Sequence, residues 1–132
     1  MEIDVNKKQA VGVLIICRTT GRVLLLQRSS SAGHSHLWSL LSGGLDDGEK
    51  PINGIAREIR EEISVNPNII NFFFINKEST ERNDFFYYVG LTNTEFKPIL
   101  DFENEDWGWF KMETLPKPMF PGLREKIVKA LS

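Results

Sequence analysis

The chain is poor in the residues that staple small secreted proteins or build cysteine-based metal sites. Its 132 residues include one cysteine, Cys17, and two histidines, His34 and His36. An internal disulfide framework is therefore excluded, as is a zinc site of the CxxC or Cys2His2 kind. No apolar run approaches the ~20 residues needed to cross a bilayer. The stretch AVGVLIIC (10–17) has roughly the length of a signal-peptide core. However, Glu2 and Asp4 make the start acidic, Arg18 follows at once, and no small-residue cleavage site appears. It reads instead as a buried strand ending in a buried, structural thiol. Neither sign of charge is in excess: 16 basic against 18 acidic residues leave a net charge of −2, so no global field draws the chain to nucleic acid or to an anionic membrane. Repeats, low-complexity segments and internal linkers are also missing. The expectation is one domain over residues 1–132, in a reducing cytoplasmic setting, as a monomer or homodimer.

What is present alternates between two periods. Residues 10–17 and 22–28 are Val-, Ile- and Leu-rich and flank a Thr-Thr-Gly turn, which predicts a hairpin. Residues 37–41 (LWSLL) predict a short strand, and 42–51 (SGGLDDGEKP) a loop with three glycines and a proline. Over 51–63 the period becomes helical. Ile52, Ile55, Ala56, Ile59 and Ile63 form one apolar stripe, Pro51 suits the first turn, and the helix should stop before Pro67 with Asn66 just beyond its end. Aromatic strands follow at 69–76, 84–91 and 107–110. A short helix over 123–132 presents Leu123, Ile127, Val128 and Leu131. Strands interleaved with two helices predict a layered α/β or α+β domain.

Residues 57–62 read REIREE. At about 100° per residue, Glu58, Glu61 and Glu62 share one helix face bordering the apolar stripe. Like charges at i and i+4 destabilise an isolated helix, so this face is either a solvated surface or oxygen ligands for a hard divalent cation. Just upstream, Gly43, Gly44 and Gly48 let backbone approach a ligand closely, and Glu49 precedes the helix.

Read together, GGLDDGEKPINGIAREIREEISV (43–65) resembles the Nudix box, the signature of Nudix hydrolases. Gly43, Glu49, Arg57, Glu58, Ile59, Glu61, Glu62 and Val65 fall in register, and Ser64 stands where the family has glycine. LWSLLSGG resembles the approach to the box, with Ser42 replacing a proline, and ENEDWGWFKMETLP (103–116) resembles the last strand and following turn. The resemblance implies an α/β/α sandwich with a mixed sheet, the box forming loop, helix and loop. It implies hydrolysis of the diphosphate linkage in a nucleoside diphosphate derivative, such as a (d)NTP, dependent on Mg²⁺ with Mn²⁺ as substitute. By the same resemblance Glu58, Glu61, Glu62 and the Gly43 carbonyl are metal ligands. Arg57 orients a glutamate through a bidentate pair, with Glu49 as the candidate partner; Glu49 anchors the loop and assists binding, and Gly44 lies against substrate. Glu61 or Glu62 is the expected base. Glu103, with Glu105 second, is the candidate for a further metal-binding or basic glutamate from a distant loop.

Substrate selection is less legible. Arg28 ends the second strand within reach of a phosphate, or else makes a surface ion pair. Phe72, Phe73, Phe74, Phe85, Phe86, Tyr87 and Tyr88 alternate between sheet faces, so most are expected in the core, as are Trp107 and Trp109. The chain lacks the stretches that mark NADH-directed and ADP-ribose-directed members. The alternative to an enzyme is a non-catalytic Nudix-fold nucleotide-binding or regulatory module. That alternative usually accompanies loss of box glutamates, and all are present here.

Overall fold

The computed structural model describes residues 7–132, so Glu2 and Asp4 lie outside the described residues. Its order is β1 (Lys8–Cys17), β2 (Val23–Arg28), β3 (Trp38–Ser39), β4 (Leu41–Gly44), α1 (Pro51–Ile63), β5 (Asn71–Ser79), β6 (Asn83–Thr92), β7 (Asn104–Phe110) and α2 (Leu123–Leu131). The seven strands form one mixed sheet. Strand β1 runs parallel to β6 along its length, while its first half pairs antiparallel with β4 and its end with β2. Strand β2 also pairs antiparallel with β3 and β7, and β5 lies at the edge beyond β6.

A helix covers each face of the sheet, because alternate residues of each strand point to opposite sides. Ile55, Ile59 and Ile63 of α1 pack on Val11, Val13, Ile15, Leu24 and Leu26. Leu123 and Ile127 of α2 pack on Leu14, Ile16, Val23 and Leu25. The fold is thus α+β, with a mixed sheet between two helices. Among the described residues, no helix is long and apolar enough to cross a membrane. Cys17 is buried and free.

Several expectations need correction. The 37–41 segment is two strands, and Ser42–Gly44 belong to β4, paired with Gly12–Ala10, rather than to a loop. Cross-strand pairing outweighed the low strand propensity of two glycines. Ile52 is 41 % exposed, since periodicity sets a direction but not whether the sheet extends beneath the first turn. Val128 is also exposed, about 100° round α2 from Ile127. Phe73 and Phe74 are about half exposed, because edge strand β5 has only one neighbour and a register break at Ile75.

Helix α1 ends at Ser64, which is left-handed with φ 56°. Asn66 instead caps a separate 3-10 turn, Pro67–Ile69, by accepting from the Asn68 N–H. A non-glycine residue in that conformation costs roughly 1 kcal/mol. Ser64→Gly is therefore expected to raise unfolding stability by about 1 kcal/mol. Chemical denaturation checks this, and an unchanged or lowered midpoint would show that Ser64 is compensated.

Candidate active site

Helix α1 divides its glutamates by burial. Glu58 and Glu62, one turn apart, are 6 % and 2 % exposed, whereas the Glu61 side chain is 56 % exposed. The one face drawn from helical angles is thus split, because β4 and the 99–104 segment cover only part of it. Backbone bonds from Ile99 and Asp101 to the carbonyls of Ile63 and Glu62 lay that segment across the end of α1. It brings in Glu103, half-buried, and one carboxylate oxygen each of Glu58, Glu62 and Glu103 lies within 4.8 Å of the others. Glu105 is not in this group; its Oε2 lies 2.9 Å from His36 Nδ1 at the surface.

The electrostatics are those of crowded like charges. Burial, then the neighbouring Glu58 and Glu103, push the Glu62 carboxyl well above the ordinary glutamate range. Burial and the charges of Asp101 and Glu58 also raise Glu103, with Arg28 opposing them. Glu62 Oε1 accepts from Asn104 Nδ2 at 3.2 Å, while its buried Oε2 has no hydrogen-bond partner. A buried oxygen of this kind is costly unless something else satisfies it. With Glu58 and Glu103, the Glu62 carboxylate makes a set of three hard oxygen donors, which suits Mg²⁺ or Mn²⁺ better than a soft metal.

Gly43 makes room for the group. A Cβ there would lie 2.2 Å from Glu58 Cδ and Oε2, so β4 can pass Glu58 this closely only as glycine. Arg57 latches the loop between β4 and α1. It holds Glu49 through Nε and Nη2, each at 2.9 Å, the Gly44 carbonyl through Nη2 at 2.8 Å, and Glu58 through Nη1 at 2.9 Å. A longer bond from Nη1 reaches Glu61 at 3.2 Å. A fork of this shape suits bidentate carboxylate binding. Its bonds, with help from the Asp46 N–H, lower the Glu49 carboxyl to about 2. Glu49 and Gly44 therefore face Arg57.

Arg28 donates to the Gly33 carbonyl and has no ion pair among the described residues. It lines a cavity of about 430 Å³ with Ser42, Glu78, Phe85, Phe120 and Lys126, within the size range of small-molecule sites. His34 also lines it and packs edge-to-face on Phe120, with 4.8 Å between ring centroids. The cavity opens on the α2 face and the glutamates on the α1 face. Ser42, next to Gly43, and Arg28, whose charge reaches Glu103, join the two. Sequence reasoning missed Asn104, Glu78, Phe120 and Lys126. The resemblance of 103–116 to the family's last strand covered Asn104 without marking it, and no pattern marked the others.

The family model for the NUDIX domain matches residues 6–131. The RNA pyrophosphohydrolase of Bartonella tribocorum is 30% identical over 148 aligned positions, covering 88% of this chain and 86% of that protein. That of Bartonella quintana is 32% identical over 98 residues, 67% of this chain and 51% of its own length. The chain spans about half the length of the first three curated relatives it matches. Among solved structures, the E. coli dihydroneopterin triphosphate pyrophosphohydrolase superposes with a TM-score of 0.72 at 18% identity, covering 95% of this chain and 97% of that one. A MutT NUDIX hydrolase from Burkholderia pseudomallei superposes at 0.71 with 23% identity, covering 92% and 96%. At such identities these likenesses establish the fold alone.

Proposed function

Because this chain belongs to the Nudix family, we propose that it is a divalent-metal-dependent pyrophosphohydrolase cleaving the diphosphate linkage of a nucleotide derivative. The observation that carries this reading is the unpartnered, buried Oε2 of Glu62 beside Glu58 and Glu103. In this reading Glu58 and Glu62 hold the ion, Mg²⁺ or Mn²⁺. The Gly43 carbonyl completes the protein's share, and exposed Glu61 serves the solvent side. A cation held there would supply the positive charge that offsets a diphosphate and acidifies a water. Glu103 is placed to accept a proton from a water. It has no side-chain hydrogen bond among the described residues, and its raised pKa brings it closer to operating pH, as a general base requires. Arg57 positions Glu58 and fixes the loop through Glu49. Arg28 steers phosphate, and the rest of the substrate lies between Phe85 and Phe120.

The curated relatives and the E. coli protein are named as pyrophosphohydrolases of different substrates, so the test is a panel. It contains (d)NTPs, nucleoside diphosphate conjugates and a 5′-triphosphorylated oligonucleotide, each with Mg²⁺ or Mn²⁺. At least one is expected to release phosphate or pyrophosphate; no turnover on any of them favours a binding module. Gly43→Ala is expected to lower kcat by about 10²-fold, the usual consequence of displacing a reacting group by about an ångström. Steady-state kinetics on the panel's best substrate check this; an unchanged kcat would mean Glu58 can move without consequence.

A further inference from the structure

Strand β7 contains a register fault that decides which side chain meets Glu62. Leu26 pairs with Trp107 and Gln27 with Asp106, but Arg28 pairs with Asn104, leaving Glu105 as an extra residue. Trp107 and Trp109 pack on the α1 side of the sheet, and Phe110 packs on the α2 side. Unbroken alternation would continue Glu105 towards α1 and turn Asn104 away with Asp106. A bulge of one residue reverses this phase. Asn104 is turned to α1, where its amide donates to Glu62 at 3.2 Å and is 6 % exposed. Glu105 swings out to His36.

We infer that Asn104 is a positioning residue for the metal centre: its amide fixes Glu62 through Oε1 so that the unpartnered Oε2 is presented toward Glu58 and Glu103. This rests on the metal-dependent reading above. The chemistry favours amide over acid at this position. An amide N–H donor satisfies a carboxylate, whereas a fourth carboxylate would repel it and compete for the cation. A group of this kind holds a ligand in one orientation, and its loss typically weakens metal affinity by about 10- to 100-fold.

The test measures Mn²⁺ binding without substrate, by titration calorimetry and by the EPR signal of free Mn²⁺. The full chain is compared with Asn104→Ala and Asn104→Ser. Serine's hydroxyl is too short to replace the amide, yet it keeps the site polar if alanine prevents folding. The expected result is a dissociation constant raised about tenfold or more, with far-UV circular dichroism and cooperative unfolding retained. Unchanged Mn²⁺ affinity with a lowered melting temperature would make Asn104 merely structural and overturn the inference. If the parent chain itself binds no Mn²⁺, the metal-dependent reading fails as well, which separates the two failures.

Discussion

Glu62→Gln is expected to lower kcat by about 10⁴-fold, close to 5 kcal/mol of transition-state stabilisation, while leaving the metal-free protein at least as stable. The two halves have one cause. Without an ion, Glu62 is a buried acid beside two others, and its carboxyl is held above the ordinary range mainly by burial. Glutamine fills the same volume, keeps an oxygen for the Asn104 amide and carries no charge. The sign of the pH dependence follows. A carboxyl whose folded pKa is raised contributes its stability fully below the unfolded value, taken as 4.5, and loses it as pH climbs through the folded value. EDTA-treated parent protein should therefore lose stability as pH rises from about 4.5 towards about 10, and Glu62→Gln should remove that group's share of the slope. Thermal melts across this range, with kcat under saturating Mg²⁺, check both halves. Near-normal turnover, or a variant that melts well below the parent, would contradict the assignment of Glu62 as a buried metal ligand.

Glu103→Gln is expected to reduce kcat by about 10³-fold, within the range of a lost general base, with a smaller change in KM. Glu103 lies in the segment entering β7, half-buried and held through its backbone, which donates to Asp101 and accepts from Ser29. If it takes the water's proton, the variant should also lose the acidic limb of the kcat–pH profile while still binding Mn²⁺. An unchanged rate would return the role to Glu61. A Mn²⁺ affinity that falls as steeply as the rate would make Glu103 a ligand instead.

The contrast between Glu61 and Glu103 shows where sequence reading stops. Helical period is local, so positions 58, 61 and 62 were certain to lie near one another on α1 once residues 51–63 were helical. Their separation into two buried side chains and one exposed side chain depends on β4 and on the segment 40 residues later in the chain. No periodicity carries that information. The same distinction holds for β5, whose aromatics look like core until its place at the sheet edge is known. It also holds for Ser42–Gly44, whose composition reads as loop but which pair with β1.

The sequence by itself determined the family, the mixed layered fold, the extent of α1 and the identity and spacing of the box carboxylates, because each rests on residues close in the chain or on a pattern with fixed gaps. Only the tertiary structure decided which carboxylates are buried together, that Arg57 holds Gly44 and Glu58 besides Glu49, and that Asn104 rather than Glu105 meets Glu62. The physical reason is that burial and cross-strand register belong to surfaces brought together by folding. One extra residue in β7 changes the face of the sheet on which a side chain falls, and the chain carries no local mark of it.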